Sequence, residues 1–158
     1  MNASIEEVVA LLEQAASDTE AASPYVAARA LMSVVILARN DGIRAFARLV
    51  PYWCVRRLRP AMRIVNRRFD EKSPQEWADH DDLTALWAWA MNSIYKAEAD
   101  EESGFDRAEL MSIAAHLASL GNPGETKELL ERSRDDNDIV VKSGAADALK
   151  ILSRNERP

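Results

Sequence analysis

Arginine is the residue type whose placement in this chain most directly implies chemistry. Eight arginines fall between Arg44 and Arg68, with no acidic residue among them, in a chain of formal net charge -6. If the stretch from Pro51 to Phe69 is broadly helical, Arg56, Arg59, Arg63 and Arg67 follow i, i+3, i+7 and i+11 and form one stripe. Leu58, Met62, Val65 and Phe69 then fall on another face and pack inward. Arg44 and Arg48, four residues apart on a preceding helix, extend the basic surface. The guanidinium is a rigid fork of donors that matches carboxylate or phosphate better than an ammonium does. Two kinds of partner therefore suit the stripe. One is carboxylate, from the chain's own acidic half or from another protein. The other is nucleic acid. A third possibility is a solvated charged face with no partner.

Other reactive side chains are sparse. Cys54 is the single thiol, and a nucleophilic cysteine needs neighbouring cations or a histidine to lower its pKa. Arg56 and Arg57 are near in sequence, but Trp53 and Val55 make its surroundings apolar, so Cys54 reads as a packing residue. His80 stands among Asp79, Asp81 and Asp82 in "WADHDD". Consecutive residues at a helix junction do not converge on one ion, and Asp82 reads as the N-cap of the next helix. The acidic stretch Glu98–Asp106 fails as a calcium loop: starting from Asp100, position 6 is Phe105 and position 12 is Met111. The chain has no phosphate-binding glycine loop and no nucleophile elbow. No catalytic residue, metal or cofactor is expected.

The totals set the frame. At 158 residues, with 47% hydrophobic and 29% charged, the composition is that of one globular domain. A single cysteine excludes an intramolecular disulfide. The opening "MNASIEEVVALLEQ" has no basic region and does not resemble a secretory signal. The longest apolar run, Ala30–Ala38, is about half of what a bilayer crossing requires. These features point to the cytoplasm and away from a membrane. Residues 1–68 carry a net charge of +4 and residues 69–158 a net charge of -10. The acidic total and a pI near 5.0 weigh against nucleic acid, because affinity for it grows with the number of phosphates neutralised.

Every segment with a clear period is helical. Ser4 with Glu7 forms a capping box ahead of an apolar face at Ile5, Val8, Val9 and Leu12. Ser23-Pro24 starts a helix that is apolar nearly all round, to about Arg39, and so reads as central and buried. Asp41-Gly42 opens a short helix with Ile43, Phe46, Ala47 and Val50 inward. Pro60 makes Pro51–Phe69 either one kinked helix or two short ones. Ser73-Pro74-Gln75-Glu76 is a second capping box. From Asp82, a regular helix places Leu83, Leu86, Trp87, Ala90, Met91, Ile94 and Tyr95 on one face. Trp89 lies about 200° from Trp87, so either that helix is buried on two sides or Trp89 is an exposed anchor for a partner. After an acidic loop, Glu98–Gly104, Asp106 with Glu109 opens another helix. Gly121 reads as its C-terminal stop. Two more helices fall near residues 124–134 and 138–154, and the tail from residue 154 should fray.

Two stretches resemble known families. "DDNDIVVKSGAADALKIL", Asp135–Leu152, resembles a HEAT-type repeat helix in its acidic turn, paired valines and small residues. "IRAFARLVPYWCVRRL", Ile43–Leu58, resembles the core of an uncharacterised bacterial helical family sometimes encoded beside type VI secretion genes. Ala45, Phe46, Ala47, Leu49, Pro51, Trp53 and Cys54 carry that likeness. It implies a secretion-accessory role and transfers no catalytic residue.

The expected fold is a single all-α domain spanning 1–158, an irregular or HEAT-like array of about eight helices. The expected function is non-catalytic protein binding, as an adaptor, chaperone or immunity-type partner. Arg44, Arg48, Arg56, Arg59, Arg63, Arg67 and Trp89 would contact a partner with an acidic surface. The alternatives are a nucleic-acid binder acting through the Arg44–Arg68 segment and an enzyme whose site is assembled only in the fold.

Overall fold

A computed structural model describes residues 4–17, 29–30, 32–33, 35, 40–52, 55–100 and 104–156. Seven α-helices and three 3-10 turns account for nearly all of them, and no strand occurs among the described residues. The helices are α1 (Ile5–Ser17), α2 (Asn40–Leu49), α3 (Val55–Glu71), α4 (His80–Asp100), α5 (Gly104–Leu117), α6 (Pro123–Ser133) and α7 (Ile139–Asn155). No helix among the described residues is long and apolar enough to cross a membrane. Most of the expected central helix lies outside the described residues. Its described positions, 29–30, 32–33 and 35, are helical, and Val35 is fully buried. The packing divides into two compact units, Met1–Asp82 and Leu83–Pro158.

In the first unit, α1 begins at the expected capping box. The Ser4 N–H donates to the Glu7 carboxylate and the Glu7 N–H to the Ser4 hydroxyl. Helix α1 packs on α2, whose Ile43, Ala45, Phe46 and Leu49 are completely buried, as is Val50 just beyond its end. The 3-10 turn Val50–Tyr52 follows. Helix α3 then runs unbroken through Pro60. The proline sits on the exposed face, and its missing N–H leaves the Arg56 carbonyl without a helical donor. Leu58, Ala61, Met62, Val65 and Phe69 bury the opposite face. The second capping box holds only a 3-10 turn, Pro74–Glu76, with the Ser73 N–H donating to the Glu76 carboxylate at 3.2 Å. This turn sets buried Trp77 against the end of α3. Its Nε1–H donates to the Arg68 carbonyl at 2.9 Å, and the Lys72 ammonium lies 4.1 Å from its ring centroid.

Several expected helix boundaries are corrected. Helix α4 starts at His80, so Asp82 lies within its first turn and is not its cap. It also runs to Asp100, absorbing the start of the expected acidic loop. Helix α5 starts at Gly104, and Asp106 is buried inside its first turn. Helix α7 runs to Asn155 and closes with the Glu156 N–H on the Leu152 carbonyl.

In the second unit, α5 and α7 pack side by side and run the same way, with α6 returning between them in sequence. Small residues permit the approach. A Cβ on Gly144 would come within 2.6 Å of the Ala108 Cβ, and one on Gly104 within 2.6 Å of the Asp138 carboxylate. Asn122 caps α6 and Asp138 caps α7, each accepting from a backbone N–H in the first turn. Arg107, with 8% of its side chain exposed, donates to Asp136 at 3.0 Å. Gly121 does end its helical stretch, and its φ of -106° is not the left-handed value that favours glycine. The reason for glycine is steric: a Cβ there would lie 2.6 Å from Cε2 of Trp87. That indole is fixed by its Nε1–H, which donates to Thr126 at 3.0 Å, while the buried Thr126 hydroxyl donates to the Asn122 carbonyl at 2.8 Å.

Gly121→Ala is therefore expected to lower stability by about 1–3 kcal/mol through overpacking against an indole that cannot move aside. Gly124→Ala, whose new methyl meets only Asn122 Oδ1 at an ordinary 3.6 Å, should leave stability unchanged or raise it. Chemical denaturation of the two variants checks both. The Asp136 carboxyl is held below the usual aspartate range, first by the Asp138 backbone N–H at 2.8 Å and then by Arg107, against the opposing effect of burial. A depressed folded pKa contributes stability above the ordinary value of about 3.9, and that stability is lost as pH falls through the folded value. The stability gap between wild type and Asp136→Asn should accordingly be present at neutral pH and close below about pH 4 in an acid titration.

Candidate functional site

The arginine segment separates into two sets with different surroundings. Arg44 and Arg48 lie four residues apart on α2 and turn toward carboxylates of their own unit. Arg48 Nε donates to Asp82 Oδ1 at 3.3 Å. Arg44 approaches Asp82 Oδ2 at 3.9 Å, Asp41 at 3.5 Å and Glu6 at 3.6 Å. The Asp82 side chain is 14% exposed, and the 3.9 Å approach is a charge contact and not a hydrogen bond. Asp82 thus brings α2 and the start of α4 together, in place of the capping role its position implied. Arg44 and Arg48 remain partly exposed, but their charge is answered within the chain.

The second set lies on α3. Arg56, Arg57, Arg63 and Arg67 are exposed and Arg59 is half-buried. Arg59 and Arg63 already interact elsewhere in the chain. Arg56, Arg57 and Arg67 form no ion pair among the described residues. From Arg56 to Arg67 the row extends about 16 Å along the helix. A shallow depression of about 360 Å³, lined by Ile64, Arg67, Arg68 and Glu71, adjoins its C-terminal end. It offers an apolar spot beside a guanidinium. Arg68 itself pairs with Glu71 at 3.5 Å. The burial of Leu58, Met62, Val65 and Phe69 under the same helix fixes the base from which these side chains extend.

The remaining candidates are placed differently. Trp89 is half-buried and engaged within the chain, so it is neither the fully exposed anchor nor a fully buried core residue. Trp53 and Cys54 lie outside the described residues. His80 is exposed at the first position of α4, while His116 is buried in α5. Among the described residues no three His, Cys, Asp or Glu side chains gather in metal-binding geometry. Sequence reasoning passed over Arg57, whose exposure depends on the rotational setting of α3. It also missed the Tyr95 cluster of the second unit. There the Tyr95 hydroxyl donates to Glu125 at 3.0 Å, and Arg132 spans from Glu98 at 3.2 Å to a point 6.0 Å from the Tyr95 ring centroid. Burial first, and then the bond to Glu125, push the Tyr95 phenol above its usual range. No protein-family model matches the chain, and no curated protein or solved structure does so either.

The two arginine sets should separate in a stability measurement. Arg48→Ala and Asp82→Ala are each expected to cost about 1–2 kcal/mol, since each strands a partly desolvated partner. A double-mutant cycle should show their coupling. Arg67→Glu should stay within about 0.5 kcal/mol of wild type. Equal losses at Arg48 and Arg67 would refute the division.

Proposed function

We propose that this chain is a non-catalytic protein-binding module, an adaptor, chaperone or immunity-type partner, that engages an acidic protein surface through α3. The observation that carries the proposal is the set Arg56, Arg57 and Arg67, in which Arg57 lies about 80–100° round α3 from the line of the other two. These are exposed guanidinium groups without an ion partner among the described residues, on a helix whose other face is buried. Exposed charge of this kind is available for bidentate carboxylate contacts at no cost in broken internal pairs. Arg63 extends the row, and Ile64 supplies an apolar contact beside Arg67. Arg59, half-buried, flanks the surface on the same helix. On this reading Trp89 serves the fold more than the partner. The HEAT-like reading of the array draws on the parallel packing of α5 and α7 and on the repeat-like stretch Asp135–Leu152. A secretion-accessory setting rests on the likeness of Ile43–Leu58 alone, and a cytoplasmic one on the composition and the single cysteine.

Capture from the native host tests the proposal, using immobilised wild type beside an Arg56→Glu/Arg67→Glu variant. The wild type should retain a protein with an acidic face, and the variant should lose it by roughly tenfold or more at an unchanged thermal midpoint. Retention by both forms would remove α3 as the contact. Tight, salt-sensitive binding of wild type to random duplex DNA would replace the protein partner with nucleic acid.

A further inference from the structure

Helix α7 carries a surface of a different kind. Its buried face is formed by Val141, Ala145, Ala148 and Leu152. The outward face follows a spacing of four and three through Ile139, Ser143, Ala146, Lys150 and Ser153. Ile139 is 78% exposed, the most exposed large apolar side chain among the described residues. Asp135 and Asp138 stand exposed just before it. At the other end of the same face lies an open groove of about 480 Å³. Ala146 and Leu149 form its apolar floor, and Arg134, Lys150 and Arg154 supply its cations. One helix face thus presents an apolar knob with acidic flanks at one end and an apolar, basic-rimmed hollow at the other.

Such a face is complementary to itself when two copies run antiparallel. Ile139 and Ser153 are each seven residues from Ala146, about 10 Å along the axis. A two-fold axis at Ala146 therefore sets each Ile139 over the groove of the other copy and brings Asp135 and Asp138 toward Lys150 and Arg154. Ser143 and Ala146 keep the centre of the contact thin enough for the helices to approach. The antiparallel helix dipoles add to the attraction, and Lys142 lies about 60° round the helix, off the seam. We propose that the α7 face is a self-association surface and that a second copy of this chain occupies its groove, giving a closed two-fold dimer. A single four-turn helix pair is at the small end of specific interfaces, so the dimer is weak and dependent on concentration. The α7 face belongs to the second unit and the arginine row to the first, and the proposal does not depend on the reading given to that row.

Sedimentation equilibrium of the full chain tests it. The weight-average mass should climb from 17.6 kDa toward twice that value as concentration rises. Ile139→Lys and Lys150→Glu, both at exposed positions, should each weaken association at least tenfold with unchanged circular dichroism. An equimolar mixture of the two variants should recover the dimer. At one end of the mixed pair the lysine introduced in one variant meets the glutamate introduced in the other, while the opposite end keeps the native contact. A wild type that stays at 17.6 kDa up to its solubility limit would overturn the proposal. So would a dimer indifferent to both variants. A monomer whose groove is filled by an acidic peptide or by duplex DNA would equally overturn it, in favour of that occupant.

Discussion

The surface chemistry of the first unit depends on where the Asp82 carboxylate points. Placed in the first turn of α4 and mostly shielded from water, it needs cations, and Arg48 and Arg44 of α2 supply them. A carboxylate so situated without a partner would be costly, whereas paired it joins two helices that propensity alone leaves independent. That contact divides the clustered arginines by their surroundings. Those on α2 belong to the fold, while those on the outer face of α3 extend into water. The division leaves a shorter row of about 16 Å on α3.

Periodicity made the helices readable, because a buried face repeats every three to four residues wherever the helix packs. Ile43, Phe46, Leu58, Met62, Val65, Leu86 and Ile94 all face the core on that ground. Local capping was equally legible at Ser4 with Glu7, since donor and acceptor lie within one turn. What escaped is whatever depends on residues distant in sequence. The exchange of Asp82 from cap to ion-pair partner depends on Arg48, thirty-four positions away. Asp106 looks like a cap in sequence and is buried instead, because α5 begins two residues earlier, at Gly104. The glycine at 121 reads as a stop on conformational grounds, and it does end its helical stretch. The actual cause is the Trp87 ring, which only tertiary packing brings there.

The candidate site was legible in composition and only partly in geometry. A run of arginines without acids is visible at once, and its stripe coincides with exposed positions at Arg56, Arg63 and Arg67. A helical wheel cannot say how far the buried arc extends, so it exchanged half-buried Arg59 for exposed Arg57. The same uncertainty of about one residue in rotation placed Trp89 as an anchor. Partial burial on several sides of α4 leaves such a side chain less free than its angle from Trp87 implied.

The -10 of residues 69–158 invites the picture of a carboxylate surface waiting for the arginines. The side chains argue for a more local account. Asp138 caps α7, Asp136 holds Arg107, Glu98 holds Arg132, Glu125 takes the Tyr95 hydroxyl, and Glu76 closes a turn. Each is committed within hydrogen-bond or ion-pair reach, and charge spent in this way attracts little at a distance once salt screens it beyond about 10 Å. Net charge therefore overstates what the acidic half offers and understates what the basic row lacks. Among the described residues Arg56, Arg57 and Arg67 have no comparable commitment, and an unpaired guanidinium is costly to bury. A helix that spends one face on core packing and leaves three guanidinium groups without an ion partner among the described residues gains little in stability from those groups. The balance of charge is thus set locally, and these groups stand on the solvent side of α3.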